Sequence, residues 1–360
     1  MRESQYNTFS LRTHKKNWLL KRPNVCQFEL TFGCNLHCRH CYTDCYNKPE
    51  YIKKELDTKE VKFILDKVYQ GGCIWLCFTG GDPLTRRDFL EIYSYAKDKG
   101  FIITVFINGY SMTEKITGYF KKRPPFVIEL TLNAVSKDSY EKITRVKGSF
   151  EKTMQGINLI LKARLPLKIK TQMTRDNLAE FHKIKKFFKG LGLRFQPSVD
   201  LQARLNGDLT PCNLRVSPQE VLNLNGKKRL AESGCERPLH AARSTLQANL
   251  FRCAIGGGDG IHIDPYGNTF LCNLIRKPAF NLIKVDIAYA QNKLLPLVRN
   301  RKFATESKCK RCKLREFCEW CPGKAFLERG DMEASLDYYC KLTHLITGGV
   351  KCQENQNLGL

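Results

Sequence analysis

The sequence predicts an α/β fold built on a parallel sheet and followed by a small, loop-rich module. The first observation is an alternation of short apolar segments and amphipathic segments over residues 25–201. The second is the end of that alternation after Leu201, and the third is a group of seven cysteines within residues 251–350. Strand–helix alternation is typical of parallel sheets, because helices join their strands.

Six segments have the length and composition of buried strands, since they are short, apolar and rich in Val, Ile, Phe and Thr. They cover residues 25–32, 73–79, 101–107, 126–132, 167–173 and 194–201. A complete (β/α) barrel has eight strand–helix units, so six units predict a partial (β/α)6 barrel that resembles an open TIM barrel. We expect its ligands at the carboxyl ends of the strands.

Two of the intervening helices carry signals for where they start and stop. Asp57 and Glu60 have the spacing of a capping box, and Asn177 and Glu180 repeat it before a later helix. An apolar stripe follows each box, and glycines end both stripes. The sequence therefore predicts amphipathic helices that cover one face of the sheet.

The composition excludes several classes of protein. The chain has 360 residues, a formal net charge of +25, 42% hydrophobic and 26% charged residues, so it is not a disordered polyelectrolyte. No apolar run reaches the ~20 residues of a membrane helix, and the N-terminus has no apolar signal region. We therefore expect a cytoplasmic protein that does not bind a membrane through a spanning segment.

Basic residues are concentrated in two stretches, residues 162–189 and 299–315. Such stretches favour an acidic partner, which is nucleic acid, an anionic membrane face or an acidic peptide. The alternative is a solvated surface with no partner.

Seventeen cysteines in a chain without an export signal indicate metal binding rather than disulfides. Cys34, Cys38 and Cys41 follow directly on the first predicted strand. Three thiolates at this spacing can hold one iron–sulfur cluster and leave one iron without a protein ligand. The alternatives are buried free thiols or a zinc site that recruits His37 or His40. Their place at the end of a strand favours a ligand-binding site.

A CxxxCxxC segment after the first strand of a (β/α)6 partial barrel resembles the radical S-adenosylmethionine (SAM) enzymes. The resemblance implies that the three cysteines hold a [4Fe–4S] cluster and that SAM binds its fourth iron. It also implies reductive cleavage of SAM to a 5′-deoxyadenosyl radical, which abstracts hydrogen from a substrate. His40 stands where this family usually has an aromatic residue.

The turn after the second strand resembles a SAM-contacting segment of the same family. Gly80, Gly81, Asp82 and Pro83 match its GGEP motif with Asp in place of Glu. Two glycines expose backbone carbonyls to which the SAM amine can donate hydrogen bonds. The alternative is an ordinary strand–turn–helix junction.

Three further residues resemble SAM contacts of the family. Asn108 ends the third strand, where the resemblance implies a place near the nucleoside, although an Asn-Gly pair also forms ordinary turns. Thr131 ends the fourth strand, and the resemblance implies that its hydroxyl lies near the SAM carboxylate or ribose. Arg145 lies one residue from the usual place of an arginine that pairs with the SAM carboxylate.

The C-terminal cysteines include a C-x2-C-x5-C-x2-C segment. Alone, this spacing is typical of a zinc ribbon, and the basic residues within it favour nucleic-acid binding. The complete pattern of seven cysteines resembles the SPASM extension of peptide-modifying radical SAM enzymes. It has one residue fewer between the fifth and sixth cysteines than that family usually has.

The SPASM resemblance implies two auxiliary [4Fe–4S] clusters with crossed ligation. The first set is then Cys253, Cys272 and Cys321. Its fourth ligand is Cys235 or Cys212, or the position stays open to substrate. The second set is Cys309, Cys312, Cys318 and Cys340. The five remaining cysteines are expected to be structural, and they are Cys26, Cys45, Cys73, Cys77 and Cys352.

We expect five parts in the chain: an extension over 1–24, the barrel over 25–201, a bridge over 202–250, the SPASM module over 251–350 and a tail over 351–360. The SPASM module has few periodic segments, so we expect metal rather than an apolar core to hold it together.

The sequence thus predicts a radical SAM/SPASM enzyme that modifies a peptide or protein. The alternatives are modification of a small molecule or tetrapyrrole side chain, and a zinc-ribbon protein that binds nucleic acid. No general acid or base is marked by its spacing. We expect an external electron donor such as flavodoxin or ferredoxin. Because residues 1–24 are fewer than the ~50 of a small domain, a separate protein or the basic stretches would recognise a peptide substrate.

Overall fold

The computed structural model describes residues 5–20, 22–224, 249–253, 260–299 and 301–348, except for the side chains of residues 18 and 316. Nine strands form one sheet: β1 (Val25–Thr31), β2 (Trp75–Gly80), β3 (Ile102–Ile107), β4 (Val127–Thr131), β5 (Leu167–Gln172), β6 (Pro197–Ser198), β7 (Gly260–Ile263), β8 (Asn268–Phe270) and β9 (Phe280–Asn281). Their order is β6-β5-β4-β3-β2-β1-β7-β8-β9.

Strands β1 to β6 are parallel, as the sequence predicts. The first five agree with the predicted segments to within two residues at each end. The sixth is shorter than expected, because only Pro197 and Ser198 pair with β5. Proline has no N–H to donate to a neighbouring strand, so Pro197 is suited to a short strand at the edge of the sheet.

The helices of the first part are α1 (Tyr6–Leu19), α2 (Pro49–Ile52), α3 (Thr58–Gln70), α4 (Phe89–Asp98), α5 (Glu114–Lys122), α6 (Lys137–Thr144), α7 (Ser149–Lys162) and α8 (Phe181–Gly190). The C-terminal part adds α9 (Ile287–Val298), α10 (Pro322–Arg329) and α11 (Asp337–Thr347). At the start of α3, Asp57 and Glu60 form the predicted capping box.

The second predicted capping box is wrong. Helix α8 starts at Phe181, after a short 3-10 turn, and no side chain caps it. The Glu180 carboxylate instead accepts hydrogen bonds from the backbone N–H groups of Val135 and Ser136, at the start of α6. The Asn177 amide donates to the backbone carbonyl after β4. Both side chains therefore join neighbouring loops rather than begin a helix.

The main core lies between the sheet and its helices. Alternate strand residues such as Phe28, Ile103 and Leu130 are fully buried there. Side chains in between point to the other face of the sheet, because strand residues alternate sides. Glu29, Phe106 and Glu129 are of this second kind. We call this second face the inner face of the partial barrel.

Helix α1 covers the amino ends of the strands. Its Phe9 ring lies 5.9 Å from Trp75 at the start of β2, and Tyr6 lies 5.0 Å from Phe126 just before β4. The Asn17 amide donates to the carbonyl of Gly72 over 3.2 Å. The carboxyl ends, where ligands bind, remain on the opposite side. None of the helices in the described ranges is long and apolar enough to cross a membrane.

The C-terminal part continues the sheet. Strand β7 pairs in parallel with β1, with Val25 opposite Gly260, and β8 and β9 add an antiparallel ribbon. This part also has an apolar core of its own, contrary to the expectation that metal alone holds it. The buried residues of that core include Leu250, Phe251, Phe303, Trp320, Leu336 and Tyr339.

Candidate active site

The loop after β1 carries Cys34, Cys38 and Cys41 and is fixed along its length. The Asn47 side chain accepts from the Cys34 N–H over 3.1 Å and donates back to the Cys34 carbonyl over 3.1 Å. Further along, the N–H groups of His37 and Arg39 donate to carbonyls at the end of α6, each over 3.0 Å. The loop is therefore held in shape by the protein itself.

An ion pair anchors the same loop to the end of β5. The Arg39 guanidinium donates to both oxygens of Asp176, over 2.8 and 2.7 Å. Asp176 also lies 3.1 Å from Lys142 of α6. Both hydrogen bonds come from the same nitrogen, Nη1, and they tie the residue after Cys38 to the loop that follows β5.

The three thiols lie close enough together for the charge of one to raise the pKa of another. Burial raises the pKa of Cys34 to about 12, and the charges of Asp82 and Cys41 add to the increase. Burial also raises the pKa of Cys38, with further contributions from Cys41 and Cys34. Burial raises the pKa of Cys41 too, although a hydrogen bond with Thr43 opposes it. Thiolates are stable together here only when a metal replaces their protons.

The arrangement does not suit a single metal ion. Within the described part of the chain, no group of three or more His, Cys, Asp or Glu side chains surrounds a position for one ion. A zinc ion needs its ligands at about 2.0–2.3 Å in a tetrahedron. An iron–sulfur cluster is larger and binds each cysteine at a separate iron, so three separated thiols in one loop suit a cluster.

The Gly80–Gly81 turn lies directly against this loop. The Gly81 N–H donates to Thr31 over 2.7 Å, and the next N–H donates to Gly33 over 2.9 Å. A Cβ on Gly80 would stand 2.1 Å from the Thr31 oxygen, and one on Gly81 would stand 2.3 Å from the Gly33 oxygen. Glycine is required at both positions because the two backbones touch.

Asp82 is fully buried and joins the ends of two strands. Its carboxylate accepts from the N–H of Leu84 over 2.9 Å and from that of Asn108 over 2.9 Å. Burial raises its pKa to about 6, and the two hydrogen bonds oppose the increase. Pro83 begins the short 3-10 turn that follows. With both oxygens engaged, the Asp82 side chain positions the turn.

Asn108 contacts a cysteine of the loop. Its amide nitrogen lies 3.4 Å from the Cys34 sulfur, and its side-chain oxygen accepts from the Tyr110 N–H over 2.8 Å. The sequence places Asn108 near the nucleoside of SAM, whereas its observed partner is a thiol. An N–H aimed at a ligating sulfur is a means of adjusting a cluster.

Thr131 and Arg145 lie in different surroundings. Thr131 is half-buried at the end of β4, beside Lys170 of β5. Arg145 follows α6 in a left-handed conformation with a φ of 57°. Its Nε donates to the His37 carbonyl over 2.9 Å, and its side chain is 48% exposed. The structure therefore places Arg145 on the outside of the cysteine loop, away from the inner face.

His40 brings a buried polar atom to the site. Its Nε2 lies 3.3 Å from the amide of Asn133, while its Nδ1 is buried without a hydrogen-bond partner in the described residues. Burial lowers the His40 pKa to about 4, so the ring is neutral at pH 7. A neutral ring with an unsatisfied nitrogen suits a bound ligand beside it.

Residues 28–188 match the radical SAM superfamily. This segment is a radical SAM domain. The matched range begins in β1, contains the cysteine loop and the Gly80–Gly81 turn, and ends in α8. The predicted partial barrel is thereby confirmed as the radical SAM fold.

Two curated relatives of the chain come from Methanosarcina barkeri. An AdoMet-dependent heme synthase is 32% identical over 170 residues, 47% of this chain and 48% of that protein. The chain thus matches about half the length of that relative. An Fe-coproporphyrin III synthase is 26% identical over 338 residues, 83% of this chain and 82% of that protein.

A solved structure, Streptococcus suis SuiB bound to precursor peptide SuiA, resembles nearly the whole chain in fold. The TM-score is 0.66 at 15% sequence identity, over 94% of this chain and 82% of SuiB. At this identity the likeness shows the fold. It extends beyond the barrel into the C-terminal part.

The residues of the radical SAM domain fit a [4Fe–4S] cluster. Three half-buried cysteines lie in one fixed loop, and His40 beside them has a buried nitrogen without a hydrogen-bond partner in the described residues. A cavity of about 490 Å³ next to Cys34 is lined by Asn47, Ile52 and Arg86, and not by His40 or Asn108. When bound, a [4Fe–4S] cluster would supply the electron that cleaves SAM. The protein holds Cys34, Cys38 and Cys41 in place and provides hydrogen bonds from Asn47 and Asn108.

The C-terminal cysteines form two groups in the structure. The thiols of Cys321 and Cys253 are among the charges that act on Cys272, whose pKa burial raises to about 11. Cys309 has the same pKa of about 11, raised by burial and then by Cys340, Cys318 and Cys312. The SPASM resemblance places the same cysteines together, and their role as cluster ligands stays a prediction.

A cavity of about 250 Å³ lies between these groups and is lined by cysteines of both, together with Arg252, Arg315, Trp320 and Lys324. Cys212 does not join the first group. The charges that act on its thiol are those of Arg215, Glu328 and Asp208. Cys235 and Cys352 lie outside the described residues.

Of the other cysteines, Cys26, Cys73 and Cys77 are buried among the first strands. Cys45 is different, because it lies near the cysteine loop. Burial raises the pKa of its thiol, and the charge of Cys41 adds to the increase. It lies 3.9 Å from the carbonyl of Tyr42.

Sequence analysis missed a buried network between the cysteine loop and the C-terminal part. Tyr42, directly after Cys41, lies close to Glu29. Arg276, which pairs with Glu29, also donates from Nε to the carbonyl of Asn273, directly after Cys272, over 3.1 Å. One sequence signal was available. Gln27 and Glu29 interrupt an otherwise apolar strand at alternate positions, which is typical of a strand with one face in a polar cavity.

Proposed function

We propose that this chain is a radical SAM/SPASM enzyme that modifies a peptide or protein through hydrogen abstraction. The observation that carries the proposal is the separation of the C-terminal cysteines into two groups, one of three and one of four. In this proposal Cys253, Cys272 and Cys321 hold one auxiliary [4Fe–4S] cluster. The other is held by Cys309, Cys312, Cys318 and Cys340.

The peptide substrate is supported by the fold and by charge. SuiB, which has a similar fold, is described with a bound precursor peptide. The chain has a net charge of +25, which favours association with an acidic partner. A separate protein that presents the peptide and an external donor such as flavodoxin or ferredoxin belong to the same proposal.

The outside of the cysteine loop suits an acidic electron donor. Lys142 and Arg145 are 62% and 48% exposed, and both belong to the segment against which the loop packs. Arg39, between two of the cysteines, is 35% exposed. A donor bound to these side chains would lie next to Cys38.

A second candidate is modification of a carboxylate-bearing tetrapyrrole. Two observations favour it, namely the 32% identity with a heme synthase and the match with an Fe-coproporphyrin III synthase over 83% of this chain. Propionate side chains are acidic, so the positive charge of the chain suits this substrate as well.

One experiment separates the two candidates. The reconstituted enzyme is incubated without oxygen with SAM and a reductant, and products are identified by mass spectrometry. One sample contains short peptides encoded next to the gene, and the other contains Fe-coproporphyrin III. A changed peptide mass supports the first candidate, and a changed tetrapyrrole mass with unchanged peptides replaces it with the second.

A further inference from the structure

The inner face of the partial barrel carries two lysines from one strand. On β5, Ile169 points into the apolar core, so Lys168 and Lys170 on either side of it point to the inner face. In the sheet, Lys168 pairs with Glu129 and Lys170 with Thr131. These are the positions at which a ligand inside the barrel would meet β4 and β5.

Both lysines share one carboxylate. Lys168 Nζ lies 3.1 Å from Glu129, and Lys170 also forms an ion pair with Glu129. Lys170 Nζ lies 4.1 Å from the centre of the Phe106 ring, which belongs to β3 on the other side of β4. The Glu129 side chain is 11% exposed, whereas those of Lys168 and Lys170 are 44% and 42% exposed. One acid facing two partly exposed bases leaves a net positive charge on this part of the inner face.

Neighbouring acids already have partners of their own. Glu29 is paired with Arg276 over 2.7 Å, and Asp200, two residues after β6, is paired with Lys324 over 2.7 Å. Arg145, the arginine expected near the SAM carboxylate, lies outside the loop. Lys168 and Lys170 are therefore the accessible cations on the barrel strands of this face.

The position of the lysines along β5 favours substrate over SAM as the ligand. The cysteine loop contacts Asp176, which lies beyond the end of β5, through Arg39. Lys170 and Lys168 lie two and four residues before that end, and a strand rises about 3.3 Å per residue. The lysines therefore lie deeper on the inner face than the loop that would hold SAM.

We propose that Lys168 and Lys170 bind a carboxylate group of the substrate inside the barrel, and that Glu129 holds the two lysines in place until that carboxylate arrives. The proposal rests on the proposed function, since it names the chemical group by which an acidic peptide side chain or a propionate would be recognised. The proposal gives this role to only part of the basic stretch 162–189, because the lysines of α8 in the same stretch face solvent.

The test is equilibrium binding to the reconstituted enzyme, measured by calorimetry at about 0.15 M salt, where exposed charges are screened beyond about 8 Å. The probes are hexaglutamate and hexaglutamine, which differ only in their carboxylates. We expect the double variant Lys168→Gln/Lys170→Gln to bind hexaglutamate at least tenfold more weakly. The corresponding loss is about 1.4 kcal/mol. Hexaglutamine binding should not change.

Matched variants locate the effect. Lys183→Gln/Lys186→Gln removes the same charge from the exposed face of α8 and should leave hexaglutamate binding within twofold of the original. Lys170→Arg retains the charge and should retain most of the affinity. Iron content confirms that each variant is folded. An equal loss in the α8 variant, or no loss in the inner-face variant, would overturn the proposal.

A second pair of probes excludes SAM as the ligand. SAM and decarboxylated SAM differ only in the methionyl carboxylate, and we expect the inner-face variant to bind both as the original enzyme does. If it loses affinity for SAM but keeps its affinity for hexaglutamate, the lysines bind the SAM carboxylate and the proposal is wrong. Because binding is measured without turnover, failure to find product in the functional assay does not affect this result.

Discussion

Arg276 of the C-terminal part forms two hydrogen bonds of 2.7 Å with Glu29 on the inner face of β1. Burial raises the pKa of Glu29, and Arg276 opposes the increase. The Arg276 guanidinium also lies 4.9 Å from the Phe270 ring. Its Nε donates to the carbonyl of Asn273, the residue after Cys272, over 3.1 Å, and Tyr42, the residue after Cys41, lies close to Glu29. The two cysteine regions are thus fixed to each other by buried polar contacts.

Loss of Arg276 should destabilise the protein strongly. Arg276→Met leaves the Glu29 carboxylate buried without its partner, which costs about 3–5 kcal/mol for such pairs. The double variant Glu29→Gln/Arg276→Met should recover part of that loss. Urea unfolding of the reconstituted enzyme measures both. Lys310→Met, which breaks an exposed pair with Glu306, is the control and should cost less than about 1 kcal/mol. A similar cost for both single variants would show that the buried pair has no special role.

Iron content tests the three cysteine groups. With three [4Fe–4S] clusters, reconstitution should give about twelve irons per chain. Cys34→Ala/Cys38→Ala/Cys41→Ala should lose about four and abolish SAM cleavage. Cys312→Ala should lose iron but retain some SAM cleavage, because the barrel site is separate. Cys212→Ala is the matched control and should keep all of the iron, since Cys212 lies apart from the cysteine groups. Iron loss in that variant would make Cys212 a ligand.

Asp82 should make stability depend on pH. Its folded pKa of about 6 is above the unfolded value, so its ionisation opposes folding. The cost begins as pH rises above the unfolded pKa of about 3.9 and is complete above the folded pKa. Between pH 5 and 7.5, the original protein should lose about 1 kcal/mol relative to Asp82→Asn. Urea unfolding at several pH values measures this difference. A constant difference across that range would exclude a raised pKa.

Gly156 should not tolerate a side chain. A Cβ at this position of α7 would stand 2.1 Å from the backbone oxygen of Gly109, next to Asn108. We expect Gly156→Ala to cost about 1–3 kcal/mol and to displace the amide that contacts Cys34. Thermal unfolding and the EPR spectrum of the reduced cluster measure the two effects.

Gly118→Ala is the control for this substitution, because α5 has open space around Gly118. It should be neutral or stabilising by up to about 1 kcal/mol. Equal stability of the two variants would contradict the close packing of α7 on the Gly109 turn.

Local patterns predicted much of the fold, and they failed where a side chain has a distant partner. The first five strands and the Asp57–Glu60 box depend on neighbouring residues, so the sequence is sufficient to find them. Glu180 has the spacing of a cap but bonds to a loop about 44 residues earlier in the chain. No short pattern contains that information.

The site shows the same limit. Its cysteines are recognisable because metal chemistry fixes their spacing. Glu29 and Arg276 are 247 residues apart, so their pairing depends on the complete sheet. Arg145 was placed by its offset in the sequence, but its left-handed backbone turns it toward the His37 carbonyl. Alternation in β5 marks Lys168 and Lys170 as inner-face residues. The sequence analysis treated them together with the exposed lysines of the same basic stretch.

The pairing of β7 with β1 has a consequence for how the chain is made. Val25 leaves the ribosome 235 residues before its partner Gly260. Until then, one edge of β1 has unpaired backbone groups, and exposed edges of this kind promote aggregation. This edge of the sheet therefore stays unpaired during translation until β7 has been made. A shortened protein that ends at residue 224 should accumulate in inclusion bodies, and the missing half supplied as a separate polypeptide should restore its solubility.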